Sequence, residues 1–115
     1  MKDCTFCKIV SGDIPADIIY ENDNFFSIPD INQQIEGHSL VVSKKHFNTF
    51  LDLPSSIGME LVDCIKQTTL RLIEKYGSDG FNIVQNNFKS AGQVVGHVHF
   101  HILPRKTGGK VPRVY

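Results

Sequence analysis

Apolar and polar positions along the chain follow two periods. Between residues 54 and 76, Ile57, Leu61, Ile65, Leu72 and Tyr76 recur at intervals of four or seven, with Thr68 filling the gap. That is the period of an amphipathic helix, and the stripe reads as a core face. Pro54 suits its first turn and Gly77 the position after its last. Elsewhere short β-branched and aromatic runs dominate. Residues 17–21, 24–29, 38–43, 81–86 and 97–103 read as five strands, the last stopped by Pro104. Residues 4–11 make a short helix that ends at Ser11-Gly12, and the tract from Asp30 to Gly37 is a polar loop. The hairpin-length connections imply a mainly antiparallel sheet, with one long and one short helix, hence an α+β fold.

The chain has 115 residues, without internal repeats or low-complexity linkers, and reads as one domain over 1–115. Residues 105–115, with Arg105, Lys106, Lys110, Arg113 and no acid, read as a basic C-terminal tail. Lys+Arg and Asp+Glu both number 12, so the formal charge is zero. That balance argues against a polynucleotide binder, which needs a basic surface, but leaves room for a small phosphate ligand. No apolar run is long enough for a transmembrane helix or a secretory signal, so no membrane partner is expected. Three cysteines, an odd count, fit a reducing cytoplasmic setting better than a disulfide framework. Cys64 falls in the helical stripe and reads as core.

The most informative stretch runs from Gly92 to Pro104 and contains His97, His99 and His101. On a strand these three imidazoles share one face, about 6.5–7 Å apart, while Val98, Phe100 and Ile102 share the other. The apolar face belongs on the core. Three titratable rings in a row are a poor choice for packing, since each needs partners and their charged forms repel. Two chemistries fit. The histidines could chelate a catalytic metal, as in a zinc hydrolase, or one could be a nucleophile that its neighbours orient. Asn86, Gln93 and the backbone around Gly92 to Val94 add hydrogen-bond donors and no metal ligand, which favours phosphate transfer.

These residues carry a resemblance to the histidine triad (HIT) family, whose pattern alternates histidine with apolar residues. HVHFHIL matches it throughout. The resemblance extends through FCKIVSGDIPADIIYEND, the Asp30 loop, GHSLVVSKKHF and AGQVVGHVHFHILPR. It is closest to the zinc-containing, bacterial-type members of the HINT branch, although the last segment also occurs in diadenosine-polyphosphate hydrolases. The resemblance implies a five-stranded, mainly antiparallel sheet and a homodimer. It implies a nucleotide hydrolase that releases a purine nucleoside 5′-monophosphate from phosphoramidate-type substrates. His99 would attack the α-phosphorus, with His101 and His38 supporting it. Asn86, Gln93 and Val94 would hold the phosphate and leaving group, and Asp30 the ribose. Phe6, Ile9, Ile28, Ile31 and Leu40 would line the base pocket. Val94 departs from the pattern, because many relatives place Ser or Thr there. The retained His101 favours a hydrolase over a nucleotidyltransferase, which has Gln. The alternatives are a dinucleoside polyphosphate hydrolase using the same residues and a nucleotide-binding interaction protein.

Cys4 and Cys7 form a CxxC pair, weak evidence by itself, and no thioredoxin-like βαβ pattern surrounds it. A closed structural zinc site takes four ligands. With His38, His99 and His101 assigned to phosphate chemistry, His46 and His97 remain. Zinc-containing relatives place ligands at these same positions, so the resemblance implies structural zinc on Cys4, Cys7, His46 and His97. Two thiolates and two neutral imidazoles would neutralise the ion. The plain alternative is a reduced cysteine pair packed in the N-terminal turn.

Overall fold

A computed structural model describes residues 3–110. Five antiparallel strands form one sheet: β1 (Tyr20–Glu21), β2 (Phe25–Pro29), β3 (Ser39–Ser43), β4 (Gly80–Val84) and β5 (His99–Arg105). Their spatial order is β1-β2-β3-β5-β4, so β5 lies between β3 and β4. The connection that makes this order runs through the long helix α2 (Gly58–Tyr76), and a short helix α1 (Thr5–Val10) precedes the sheet. The α+β reading and the mainly antiparallel sheet are both realised.

Alternation along the strands separates two cores. Phe25, Val41, Phe100 and Ile102 face α2 and pack with its Leu61, Cys64 and Leu72. Phe26, Ile28, Leu40 and Val42 face the other way and pack with Phe6 of α1. Register places His99 beside Val42, and His101 beside Leu40, so both histidines lie on this second face. Cys64 is fully buried, and burial pushes its thiol up to about 11, consistent with a core role.

Several boundaries differ from the sequence reading. β1 is shorter than 17–21, and β4 ends at Val84 instead of residue 86. The long helix begins at Gly58, because Ser55–Ile57 forms a separate 3-10 turn after Pro54. It ends as expected, with Gly77 in the left-handed region at φ 66. β5 starts at His99, so His97 lies before the strand, and it continues through Pro104 to Arg105. Proline is tolerated there because β3 ends opposite Ile102, leaving β5 flanked by β4 alone. Arg105 therefore belongs to the sheet, where its Nε donates to Asn82 Oδ1 at 2.8 Å, and is not part of a solvated tail. Residues 111–115 of that expected tail lie outside the described residues.

One close approach ties the sheet to α2. Gly37 has φ 87, and a Cβ there would fall 2.8 Å from the Tyr76 ring and 3.1 Å from Pro104 Cγ. Only glycine satisfies both the conformation and the contact. The next residue is His38.

Candidate functional site

Two histidine clusters sit side by side at the α1 face of the sheet. The first contains His38, His99 and His101. The backbone N–H of Gln34 donates to His38 Nδ1 at 3.1 Å, so that nitrogen carries no proton in the neutral ring. The His38 proton is then on Nε2, which donates to His101 Nδ1 at 2.8 Å. That contact in turn places the His101 proton on Nε2. His99 has the opposite tautomer: its Nδ1–H donates to the His97 carbonyl at 2.7 Å, leaving the lone pair on Nε2. Backbone groups thus set the tautomers of His38 and His99 directly, and that of His101 through His38. The His99 and His101 ring centroids are 5.1 Å apart. The geometry juxtaposes an imidazole lone pair with a neighbouring N–H donor.

Burial decides the charge state here. Desolvation pushes His101 down to about 4, helped by repulsion from His99 and His38. Desolvation also lowers His38, and Asp30 only partly offsets it. Both rings are neutral at pH 7, so His101 offers an anion a hydrogen bond without a positive charge. Asp30 Oδ2 is 3.4 Å from His38 Nε2, while its Oδ1 accepts the N–H of Asn32 at 2.9 Å. The residue is therefore both a turn former and a neighbour of the histidines.

Asp30, His38 and His101 also meet the spacing of a metal group. The donor chemistry opposes that use. His38 Nδ1 faces an N–H, so Nε2 must keep its proton and has no lone pair for an ion. The three residues are wired as a proton-bearing network.

The second cluster fits a metal ion. Ligand atoms of Cys4, Cys7, His46 and His97 all lie within 4.8 Å of one another. Cys4 Sγ is 3.1 Å from His97 Nδ1, and Cys7 Sγ is 3.3 Å from His46 Nδ1 and 3.6 Å from His97 Nδ1. The two Nδ1 atoms are 3.1 Å apart. A tetrahedral zinc ion would set N···N edges of about 3.3 Å and S···N edges of about 3.5 Å. Both rings turn a lone pair inward, because both Nε2 atoms are engaged as donors. His97 Nε2 donates to the Ser43 carbonyl at 2.8 Å, and His46 Nε2 to Asn48 Oδ1 at 3.0 Å. Such outer partners orient metal-ligating histidines. Two inward lone pairs at this distance repel unless a cation lies between them.

His97 joins the clusters. It is fully buried, its side chain belongs to the Cys4 cluster, and its carbonyl holds His99. Phe6 packs against both, with ring centroids 5.4 Å from His97 and 5.3 Å from His99. The sequence reading put three imidazoles on one strand face. All three turn to the α1 side, where Phe6 packs on His97 and His99, but only His99 and His101 lie within the ladder, which begins at His99.

The remaining expected site residues divide. Phe6, Ile28 and Leu40 are buried together on the histidine face, and half-buried Ile9 packs against them. Ile31 is 95% exposed and stands outside that buried group. A groove of about 260 Å³ on this side is lined by Ile9, Val10, Ile18, Phe26, Glu21 and Lys44. It shares only Ile9 with the expected pocket and contains none of the histidines. Asn86 follows β4 by two residues, just past its last ladder pair, Val84–His101. The Asn86 carboxamide has no hydrogen-bond partner among the described residues. Val94 is 93% exposed. Gln93 differs from expectation: its Nε2 donates to the carbonyls of Asn48 (2.6 Å) and Val95 (3.0 Å), and its Oε1 accepts the Phe88 N–H at 2.7 Å. Its amide is consumed in bracing the loop. Ser43, Asn48 and Gln34 were missed. Gln34 acts through a backbone group, which leaves no side-chain signal, and Ser43 meets His97 Nε2 through its carbonyl as well as its hydroxyl, while Asn48, two residues after His46, could have been suspected.

The fold carries a cluster of hydrogen-bonded histidines beside a Cys₂His₂ group. The HIT domain family model matches residues 11–108, and the chain belongs to that family. The CxxC pair precedes the matched residues. An uncharacterised HIT-like protein of Methanocaldococcus jannaschii is 48% identical, covering 91% of this chain and 81% of the relative. An adenylylsulfatase of Arabidopsis thaliana is 39% identical over 91% of this chain but only 53% of its own length. An adenosine 5′-monophosphoramidase of Candida albicans is 36% identical, covering 90% of this chain and 70% of that enzyme. Among solved structures, a zinc-bound histidine triad family protein from Mycobacterium smegmatis superposes with a TM-score of 0.85 at 39% identity, covering 96% of this chain and 81% of that one.

Proposed function

We propose that this chain is a nucleotide hydrolase releasing a purine nucleoside 5′-monophosphate from phosphoramidate-type substrates through a nucleotidyl-histidine on His99. The carrying observation is the 2.7 Å hydrogen bond from His99 Nδ1–H to the His97 carbonyl. It keeps the ring proton on Nδ1, leaves the Nε2 lone pair free for attack and stabilises the positive charge the ring gains on attack. His99 Nε2 bonds to the α-phosphorus as the bond to the leaving nitrogen breaks, and the amine departs with a proton from water. Water then attacks phosphorus and gives its proton to the hydroxide left by the first step, the N–P bond breaks, and neutral His99 is regenerated. The gain is the division of one displacement into two. His101 Nε2–H, held by His38, donates to a phosphate oxygen. Asn86 and the Val94 backbone N–H serve the same group, with Gln93 shaping the loop. The purine lies on Phe6, Ile9, Ile28 and Leu40, and Asp30 accepts a ribose hydroxyl. Relatives named monophosphoramidase and adenylylsulfatase support an adenylyl donor and leave the leaving group open.

In the same reading Cys4, Cys7, His46 and His97 hold a zinc ion, whose contribution is structural charge and crosslinking at the base of the triad. The zinc-bound neighbour and the donor geometry support it. We also read the chain as a cytoplasmic homodimer. The edge strand β4, with Phe81 and Ile83 about half exposed, supports the dimer. No described helix is long and apolar enough to cross a membrane.

The test is a side-by-side assay of purified protein on adenosine 5′-phosphoramidate, adenylyl sulfate and diadenosine polyphosphates, with acid quenching to trap adenylyl-His99. His99→Ala should lose about 10³-fold or more in turnover while retaining monophosphate binding. Turnover within about tenfold of wild type would sink the nucleophile. Cleavage of diadenosine polyphosphates alone would move the protein to that alternative.

A further inference from the structure

We propose that Cys4 and Cys7 form a reversible oxidation site whose state reaches the nucleophile through His97. The proposal rests on the readings of His99 as nucleophile and of the Cys₂His₂ group as a zinc centre. Cys4 is the N-cap of α1, and the Cys7 backbone N–H donates to its Sγ at 3.4 Å, so both sulfurs sit on one side of the first turn. The two sulfurs are within 4.8 Å of each other and of both imidazole nitrogens. Both cysteines are half-buried, whereas Cys64 is fully buried. A small oxidant therefore reaches this pair and not the third thiol. Metal-bound cysteines are thiolates, the form that reacts with oxidants.

The chemistry balances with hydrogen peroxide as oxidant. One thiolate attacks a peroxide oxygen, giving a sulfenic acid and hydroxide. The second thiolate attacks that sulfur, forming the disulfide and expelling a second hydroxide. Two protons convert the hydroxides to water, two electrons have passed from sulfur to peroxide, and the divalent ion leaves with neither thiolate to hold it.

The consequence for His99 follows from where His97 lies. The β3–β5 ladder starts at Val42–His99, so His97 precedes it. Its ring is anchored by the Cys₂His₂ group and by the Ser43 carbonyl, while the Val98 N–H on the Phe47 carbonyl, at 2.7 Å, holds the peptide group that carries its carbonyl. Oxidation removes the first. Phe6, between the two cysteines in sequence and packed on both His97 and His99, moves with the closing turn. The His97 carbonyl that sets the tautomer and aim of His99 then loses one of its supports, with the Phe47 and Ser43 contacts left to hold it. The device links cellular oxidation to nucleotide hydrolysis.

The full chain as purified is treated with stoichiometric hydrogen peroxide. Trypsin cuts after Lys2 and Lys8, so Cys4 and Cys7 share the peptide 3–8. Expected results are loss of two hydrogens from that peptide and release of one zinc per chain to a chromogenic chelator. The His99 Nδ1–H signal in ¹⁵N NMR should broaden or shift, and turnover should fall by about tenfold or more, as expected for a misaimed nucleophile. Dithiothreitol plus zinc should restore all of these. A peptide 3–8 that stays reduced at peroxide levels that fully oxidise glutathione would overturn the site. Disulfide formation with an unchanged His99 signal would overturn the link. If the untreated protein turns over no nucleotide, the functional reading fails, and the peptide mass and His99 signal still decide this proposal. Protein isolated without zinc would refute the metal reading alone.

Discussion

His38 and His101, 63 residues apart in sequence, share one proton across 2.8 Å. Its position is dictated from outside the pair, by the Gln34 N–H on His38 Nδ1. Replacing His38 with Ala should leave the buried Nδ1 of His101 without a donor. That costs about 1–3 kcal/mol, and it frees His101 to flip its tautomer and present an acceptor to phosphate. The expected result is a drop in turnover of about 10- to 100-fold, with His38→Gln, which can donate, recovering part of it. Equal activity of both variants and wild type would show that the relay does not matter.

Stability should depend on acid in a defined window. His38 and His101 have lowered values in the fold, about 4 for His101, because burial disfavours their charged forms. An unfolded histidine titrates near about 6.5. Between these values the unfolded chain binds more protons, so stability rises with pH. The contribution is complete above about 6.5 and is lost as pH falls towards 4. Melting temperature should decline through that range, and His101→Gln should flatten the decline by nearly one proton. An unchanged slope in the variant would contradict the burial argument.

At Gly37 the requirement is steric. Gly37→Ala adds a Cβ at φ 87 that meets the Tyr76 ring at 2.8 Å. Left-handed strain and overpacking together should cost about 2–4 kcal/mol, read by urea unfolding. Tyr76→Ala in the same chain should recover the packing part but not the backbone part.

Val94 is 93% exposed, so a polar replacement costs no packing. If the loop faces phosphate as proposed, Val94→Ser supplies a hydroxyl donor worth about 1–2 kcal/mol in the transition state, or roughly five- to thirty-fold in rate. A rate constant unchanged or lower, with the fold intact, would remove Val94 from the phosphate's neighbourhood.

The local part of this protein was readable from residue order. Alternation in HVHFHIL put Val98, Phe100 and Ile102 in the core and His99 and His101 on the opposite face, because side-chain direction in a strand depends only on parity. The α2 stripe and its Gly77 cap were likewise local, being set by helical period and left-handed tolerance. Residue order named the members of both clusters, partly through family resemblance. It could not supply what joins them. His97 lies just before the ladder, with its side chain among Cys4, Cys7 and His46, distant in sequence. The tautomers of His38, His99 and His97 are set by carbonyls and N–H groups of Gln34, His97 and Ser43, which every residue possesses and no sequence distinguishes. Gln93 looked like a phosphate ligand, yet its amide is consumed by Asn48, Val95 and Phe88. Such assignments are decided by tertiary structure because a polar group, once withdrawn from water, bonds to whatever backbone the fold brings within reach.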